Sequence, residues 1–238
     1  MKIALLGYGK MGKTIEKMAL EQGHQVVLII DVHNPDDLNS KNLRKADVAI
    51  EFTRPESAFN NILKCIKAGV PVVSGTTGWI HRKVELVQHC NTYEGAFFYA
   101  SNYSVGVNIF FALNRFLANM MNSQPQYAIE MEEIHHTEKL DAPSGTAITL
   151  AEGIMEEMEE KTNWINEATD EKHVIPIVSK RIPKVKGTHQ INYRSIVDDL
   201  EIKHVAHTRE GFAKGAIQAA QWIIGKKGSF GMRDMLGF

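Results

Sequence analysis

The chain has very little cysteine, with only Cys65 and Cys90 among its 238 residues. Two cysteines this far apart predict no disulfide framework, and they favour reduced thiols in a cytoplasmic protein. Neither sign of charge is in excess, because 27 basic residues stand against 28 acidic ones for a formal net charge of −1. A balanced charge gives no general attraction to nucleic acid or anionic lipid, so neither is predicted as a partner.

Long apolar runs are missing as well. The longest apolar stretches are interrupted by Asn114, Arg115 or a glycine, which predicts that no segment crosses a membrane. The apolar run that begins at Met1 ends at Gly7, which is too short for a signal peptide. A chain of 238 residues can bury a sizeable core and can form one large domain or two small ones.

A glycine-rich turn follows the first predicted strand. Residues 2–6 are apolar, and an amphipathic helix and a second apolar strand, residues 26–30, come after the turn. The turn itself reads Gly7, Tyr8, Gly9, Lys10, Met11, Gly12. This is the Gly-x-Gly-x-x-Gly fingerprint in its strand–turn–helix setting, and it predicts a dinucleotide site on a parallel sheet. In that motif the first glycine allows the tight turn, the second admits the pyrophosphate and the third lets the helix pack closely.

The second strand ends at Asp31, about twenty residues after the last glycine. A carboxylate at this position accepts hydrogen bonds from the ribose hydroxyls and repels a 2′-phosphate. Val32 and His33 follow it, where an arginine would favour the phosphate. The pattern therefore predicts NADH as the preferred cofactor, while Lys10, Lys13 and His33 leave some use of NADPH open.

Strands and helices continue to alternate, with strands predicted at 47–52 and 70–74 and a helix at 55–67. Two polar segments follow later strand ends, and we predict that they bind the cofactor as well. They consist of Gly75, Thr76 and Thr77, and of Ala100, Ser101, Asn102 and Tyr103.

The residue pattern changes beyond residue 105. A helix is predicted at 107–121, a strand at 126–134 and a helix at 147–160, and then come short β-rich runs at 173–178, 189–193 and 199–206. Strands that follow helices without alternating with them indicate a second, largely antiparallel sheet. The tail, residues 210–238, is predicted as a helix followed by a loop.

The segment 133–147 is the densest in chemistry-bearing side chains, since it holds His135, His136 and Lys139 just before the turn Pro143-Ser144-Gly145-Thr146. A turn that opens a helix presents unpaired N–H groups that suit a carboxylate or phosphate. Adjacent histidines could bind a metal, but neighbours on a strand face opposite sides and no cysteine or third histidine stands at ligand spacing. We therefore predict proton transfer beside an anion site, and no metal. A surface charge cluster would not explain the Ala-Pro-Ser-Gly-Thr sequence.

This segment resembles the signature of the dihydrodipicolinate reductase family, Glu-x-His-His-x-x-Lys-x-Asp-Ala-Pro-Ser-Gly-Thr-Ala, at every fixed position. The segments that begin at Gly75 and at Ala100 resemble the family's nicotinamide-side motifs, Gly-Thr-Thr-Gly and Ala-x-Asn-x-Ser. Arg181, Gly187 and His189 match a family loop pattern, and Arg209 and Phe212 have family counterparts near the cofactor. Glu51 is a departure, because the family more often has aspartate there.

The resemblance implies a 4-hydroxy-tetrahydrodipicolinate reductase of lysine and diaminopimelate biosynthesis, which reduces a small cyclic imine dicarboxylate with NAD(P)H. The implied fold is α/β: a Rossmann-type parallel sheet in a nucleotide domain, residues 1–104 and 209–238, and an α+β substrate domain with an open mixed sheet, residues 105–208. The family also implies a homotetramer.

Catalytic roles are expected for Lys139, the first choice of general acid, and for His135, the second. His136 and the backbone N–H groups of Gly145 and Thr146 are expected to bind a substrate carboxylate, while Glu133 and Asp141 orient these groups or remain ordinary acids. Two other functions remain compatible with the sequence: that of a different Rossmann dehydrogenase of amino-acid metabolism, and that of a non-catalytic dinucleotide sensor.

Overall fold

The protein is represented by a computed structural model that describes residues 1–208 and 210–238. Arg209, with its expected role near the cofactor, lies outside the described residues. The chain divides into two compact units, one made of Met1–Val105 with Glu210–Phe238 and the other of residues 106–208. Cofactor binding by the first unit and substrate binding by the second remain predictions.

The first hundred residues alternate regularly between strands and helices. The strands are β1 (Lys2–Leu6), β2 (Gln25–Ile30), β3 (Val48–Glu51), β4 (Val72–Ser74) and β5 (Ala96–Tyr99). The helices between them are α1 (Lys10–Glu21), α2 (Ser40–Leu43), α3 (Pro55–Ala68) and α4 (Lys83–Thr92). This order confirms the predicted α/β class.

The second unit begins with a long helix and continues as a mixed sheet. Its helices are α5 (Val105–Met121) and α6 (Gly145–Glu157), and its strands are β6 (Ala128–His135), β7 (Asn163–Ile165), β8 (Val174–Arg181), β9 (Thr188–Arg194) and β10 (Asp199–Val205). The strand order is β10-β9-β6-β8-β7. Strand β9 runs antiparallel to both of its neighbours, whereas β8 runs parallel to both of its own.

The chain then returns to the first unit as α7 (Glu210–Ile223), β11 (Gly228–Phe230) and α8 (Met232–Leu236). Strand β11 pairs with β5 and completes a parallel six-stranded sheet of order β11-β5-β4-β3-β1-β2. Both sheet faces are covered: Leu6 of β1 packs in the core of α3 and α4, and Leu5 packs in the core of α1 and α7. Burial on both faces explains why these strands read as continuous apolar runs.

Two sequence expectations were wrong. The tail is not a helix followed by a loop, because residues 228–230 form β11 and residues 232–236 form α8. The second sheet is not largely antiparallel, because α6 and the residues that follow it carry the chain back so that β7, β8 and β6 run parallel. The mixed sheet implied by the family resemblance is confirmed. Among the described residues, no helix is both long and apolar enough to cross a membrane.

Candidate active site

The carboxyl ends of the parallel strands place the predicted cofactor residues along one sheet edge of the first unit. Gly7 follows β1, Asp31 follows β2, Gly75 follows β4 and Ala100 follows β5. Strands β1 and β3 are neighbours, and the chain continues from β1 to β2 on one side and from β3 to β4 on the other, so the strand order reverses between them. The crevice at such a reversal is where open parallel sheets bind their ligands.

The glycine turn has the backbone shape that a pyrophosphate cradle needs. Gly7 has φ +96°, and a Cβ there would lie 2.0 Å from the Phe52 carbonyl oxygen. A Cβ at Gly12 would lie 2.2 Å from the carbonyl oxygen of Gly7, so α1 can pack this closely only on a glycine. Gly9 caps α1 without a side-chain hydrogen bond and has open space around it. The first N–H groups of α1 therefore suit an anionic group.

A cleft of about 280 Å³ lies beside this turn, and its lining is Met11, Phe52, Thr53, Pro55, Gly75, Thr76 and Thr77. A Cβ at Gly75 would come within 2.1 Å of the Phe52 ring, so a side chain at this position would displace that ring. The cleft combines an aromatic wall with backbone and hydroxyl groups. The residues present thus fit a dinucleotide.

Glu51 organises the loops around the cleft. Its buried carboxylate accepts hydrogen bonds from Ser74 Oγ at 2.5 Å, from Thr76 Oγ1 at 2.8 Å and from the Thr53 N–H at 3.0 Å. The loops after β3 and β4 are therefore tied to one carboxylate. The sequence showed Glu51 only as a departure from the family pattern.

Two predicted cofactor residues have their side chains partly or wholly engaged. Asp31 is half-buried, and its Oδ1 accepts the His33 N–H at 2.7 Å. Tyr103 is buried, and its hydroxyl donates to the Ser74 carbonyl at 2.6 Å. Burial raises the pKa of Tyr103 well above its ordinary value. The Tyr103 side chain is therefore part of the core, and only its backbone is available to a cofactor.

In the second unit, the polar residues form two rows across the sheet. Glu133 of β6 lies opposite Ser179 of β8 and His189 of β9. One step further along the same face, His135 lies opposite Arg181. The preceding residue of β6 on this face, Met131, is buried in the apolar core. The sheet face therefore changes from apolar to polar towards the end of β6, where the signature segment begins.

Glu133 is the fully buried centre of this arrangement. Both of its oxygens lie 3.1 Å from the Ser144 N–H, and Oε1 accepts from Ser179 Oγ at 2.8 Å. His135 Nδ1 lies 3.3 Å from Oε2, a charge contact without ordinary hydrogen-bond geometry. Burial alone would raise the pKa of Glu133, but the close contact with His135 and the Ser144 and Ser179 donors outweigh burial and hold that pKa well below its usual range. Glu133 is therefore an anion at neutral pH.

Lys139 lies in the loop after β6 and forms an ion pair with Asp141, whose oxygens are 2.7 and 2.8 Å from Nζ. The Lys139 ammonium lowers the pKa of the Asp141 carboxyl. Arg181 fixes this loop from β8, since its guanidinium donates to the carbonyls of Lys139 at 3.3 Å and Asp141 at 2.6 Å. It also contacts Glu133 Oε1 at 3.4 Å. Arg181 thus positions the Lys139 loop against the buried carboxylate.

Helix α6 begins at Gly145, two residues earlier than predicted, with Ser144 as its N-cap. The Ser144 hydroxyl accepts the Ala147 N–H at 3.2 Å. The N–H groups of Gly145 and Thr146 come before this capped position and have no partner within the helix. These are the N–H groups that the sequence predicts as a carboxylate cradle, and that role stays a prediction. His136 directly follows β6 and is half-buried.

His189 is the site residue whose neighbours the sequence did not reveal. Its Nε2 lies 3.1 Å from Ser144 Oγ and 3.7 Å from Glu133 Oε2, and its ring stands edge-on to His135 at 5.1 Å. Burial, together with the neighbouring His135, lowers the pKa of His189 to about 4. Pairing between β6 and β9 causes this proximity, and a strand-register prediction is the only sequence signal that could have shown it.

The ligand atoms of Glu133, His135 and His189 lie within 4.8 Å of one another, as they would around a metal ion. The third histidine that the sequence spacing did not show is thus supplied by another strand. The carboxylate, however, already receives the Ser144 N–H, the Ser179 hydroxyl and the Arg181 guanidinium. A cation would have to compete with that guanidinium, so the donor set favours proton handling over metal binding.

Two family models match nearly the whole chain. "Dihydrodipicolinate reductase, N-terminus" matches residues 1–103, and "Dihydrodipicolinate reductase, C-terminus" matches residues 106–236. The chain belongs to the dihydrodipicolinate reductase family. Enzymes of this family are NAD(P)H-dependent oxidoreductases of lysine and diaminopimelate biosynthesis, so the predicted family, reaction and enzyme class are confirmed.

Relatives within the dihydrodipicolinate reductase family agree over their full lengths. The 4-hydroxy-tetrahydrodipicolinate reductase of Christiangramia forsetii is 47% identical over 99% of this chain and 98% of its own. The corresponding protein of Methanoregula boonei is 32% identical over 99% and 98%. A dipicolinate-bound dihydrodipicolinate reductase from Paenisporosarcina sp. TG-14 superimposes with a TM-score of 0.79, covers 98% of both chains and is 24% identical, which supports the fold.

Proposed function

We propose that this chain reduces a small cyclic imine dicarboxylate with NADH in preference to NADPH, and that His135 delivers the proton. The contact between Glu133 and His135 carries this proposal. As an imidazolium, His135 keeps one proton on Nδ1 beside the buried anion and delivers the other from Nε2, the nitrogen that faces a substrate in this proposal. A carboxylate that orients an imidazole in this way is a common arrangement for a general acid.

The remaining signature residues bind and orient the substrate in this proposal. The N–H groups of Gly145 and Thr146 take one substrate carboxylate, and His136 lies beside them. Lys139, the first choice of general acid from the sequence, has its ammonium bound to both oxygens of Asp141. That arrangement supports a second role for Lys139 as the positive charge that attracts the dicarboxylate, with proton delivery as the alternative to be tested.

The first unit supports the cofactor part of the proposal. When bound, a reduced nicotinamide supplies the hydride. Residues 7–12 hold the pyrophosphate through backbone N–H groups, Asp31 accepts from the ribose, and Gly75, Thr76 and Thr77 line the cleft beside Phe52. The loop with Ala100, Ser101 and Asn102 follows β5 at the same edge. A carboxylate at Asp31, followed by Val32, supports NADH over a cofactor with a 2′-phosphate.

The proposal also includes a cytoplasmic homotetramer. Helix α5 exposes a stripe of Ile109, Leu113, Phe116 and Met120, and the side with Phe110 and Leu117 is buried. A continuous apolar stripe of this kind favours assembly, because it costs free energy when it faces water. Cys65 and Cys90 are free and buried, which suits a reducing compartment.

Steady-state kinetics test the proton assignment. The substrate is generated by condensing pyruvate with aspartate semialdehyde, and NADH absorbance follows its reduction. We expect His135→Ala to lower kcat by about 10²–10⁴-fold, the usual contribution of a general acid, with an unchanged KM for NADH. Lys139→Ala should mainly raise the KM for the substrate. Lys172→Ala, an exposed lysine of the same unit, is the matched control.

If His135→Ala keeps the kcat of the unmodified enzyme, His135 is not the proton donor and that role passes to Lys139. Dipicolinate, which is bound in the Paenisporosarcina structure, should compete with the substrate. A complete lack of competition would contradict the carboxylate cradle.

A further inference from the structure

Gly187, the residue directly before β9, and His189 of β9 lie beside His135 and have no role in the reaction described so far. His189 lies opposite Glu133, and the register of β6 with β9 places Gly187 beside His135. We propose that Gly187 and His189 are positioning residues for proton transfer: Gly187 leaves Nε2 of His135 uncovered, and His189 fixes the carboxylate that holds Nδ1. The inference rests on the proposed role of His135 as proton donor.

Gly187 matters because of the space above His135. A Cβ built on Gly187 lies 3.2 Å from Nε2 and 3.5 Å from Cδ2 of His135. Contacts this short require a neighbour to give way, and the imidazole is the group that would move. Even one methyl group at Gly187 would therefore crowd the nitrogen that we propose carries the proton. Glycine is the residue that leaves it open.

The position of Gly187 is itself fixed by the sheet. Its carbonyl accepts the Ala206 N–H at 2.8 Å, and the next residue, Thr188, pairs with Ile134 and Val205. The backbone beside His135 is thus held on both sides. A larger side chain could not be accommodated by moving this segment away without breaking those hydrogen bonds.

His189 acts through Ser144 and Glu133. Ser144 Oγ already accepts the Ala147 N–H, and His189 Nε2 lies 3.1 Å from the same oxygen. Since Glu133 is an anion and lies 3.7 Å away, the network assigns the His189 proton to Nε2, where it points at both oxygens. The Ser144 hydroxyl proton is then free to turn towards Glu133. The His189 imidazole thus fixes two groups. One is Glu133, the carboxylate beside His135, and the other is Ser144, the N-cap of helix α6, whose first N–H groups are proposed to bind the substrate carboxylate.

The experiment compares graded variants in the full-length enzyme. Gly187→Ala and Gly187→Val should lower kcat by about tenfold and a hundredfold, as displacing a catalytic group by an ångström does, with the KM for NADH unchanged. His189→Phe should lower kcat and raise the substrate KM, because it cannot donate to Ser144. His189→Gln, whose amide nitrogen reaches the same place, should restore most of both. Gln190→Ala, on the opposite face of β9, is the control.

A second comparison separates this inference from the proposed function. In a His135→Ala background, Gly187→Val should cause no further loss, because its effect passes through His135. If His135→Ala is active, the proposed function fails and the inference fails with it. If His135→Ala is inactive while Gly187→Val and His189→Phe keep the kcat of the unmodified enzyme, only the inference is overturned. Loss of activity with a chelator, restored by zinc, would overturn it too. Should Gly187→Val not fold, Gly187→Ala still decides.

Discussion

At the residue scale, some side chains of the site can be predicted from a sequence motif, whereas others come together only through the pairing of strands. The glycines of the turn, Asp31 and the signature residues His135 and Lys139 are close in sequence to the elements that define them. The partners of Glu133 are not: Ser179 and His189 come from two other strands. Their contacts depend on strand register, and one step of slippage would turn each side chain to the other sheet face.

Burial also changes what a predicted residue can do. The motif around Tyr103 predicts a cofactor contact, yet the Tyr103 ring packs against Phe52 and Phe98 and its hydroxyl donates to the Ser74 carbonyl. Sequence alone cannot separate a motif residue that contacts a ligand from one that supports the loop. The distinction depends on which side of the loop faces the core.

Asp31→Ala should shift the cofactor preference. Removal of the carboxylate takes away both the ribose acceptor and the repulsion of a 2′-phosphate, so kcat/KM for NADH should fall while that for NADPH rises relative to it. An effect of about tenfold in the ratio corresponds to one lost hydrogen bond to a charged group. Asp36→Ala, an exposed acid of the same region, should leave the ratio unchanged. An unchanged ratio in Asp31→Ala would show that this carboxylate does not face the ribose.

At the element scale, the alternating strands and helices of the first hundred residues could be predicted, because each strand is apolar on both faces and each helix on one. The secondary structure of the tail could not be predicted in the same way. Strand β11 has only three residues, and its single partner β5 lies far earlier in the chain. The mixed character of the second sheet escaped prediction because strand direction depends on the route of the connections, which local periodicity does not record.

Gly145→Val tests helix α6 as a carboxylate site. Nothing lies within 4 Å of a Cβ at Gly145, so the change should leave the fold intact and place bulk beside the first N–H groups. We expect the KM for the substrate to rise about tenfold or more, with an unchanged melting temperature and KM for NADH. Glu152→Val, an exposed position of the same helix, is the control. Equal substrate KM values in the two variants would locate the carboxylate elsewhere.

At the scale of the whole molecule, the exposed stripe on α5 predicts an assembly that a charge should weaken. Phe116 is 64% exposed in the single chain, so Phe116→Asp should not disturb the core of its own subunit. Sedimentation velocity should show tetramers for the unmodified protein and smaller species for the variant. Ser123→Asp adds the same charge just beyond the helix and should leave the assembly unchanged. A monomer at micromolar concentration for the unmodified protein would contradict the homotetramer.

Acid should destabilise the protein in a window set by His189. Its folded pKa of about 4 lies below the ordinary 6.5, so the unfolded chain binds more protons between these values and stability rises with pH across them. The stabilisation is fully present above pH 6.5 and decreases by about 3 kcal/mol as pH falls to 4. Glu133 also makes the fold less stable in acid. Because its folded pKa lies well below its ordinary value, its stabilising contribution is lost as the pH falls from that ordinary value towards the folded pKa.

Urea unfolding at a series of pH values measures this window. His189→Gln cannot titrate, so its unfolding free energy should depend less on pH between 4 and 6.5 than that of the unmodified protein. Identical pH dependence in the two proteins would mean that His189 is not held neutral in the folded state.

The discontinuous first unit has a consequence for the order in which the chain folds during synthesis. Ala216 and Ala220 of α7 complete one face of its core, and β11 completes its sheet. While residues 106–208 leave the ribosome, α1 covers only part of that face of the sheet, and β5 remains an open edge that can pair with another chain. The second unit should therefore be the first to resist protease in nascent chains arrested after residue 208. Protection of residues 1–105 at that length would show that α7 is dispensable for this core.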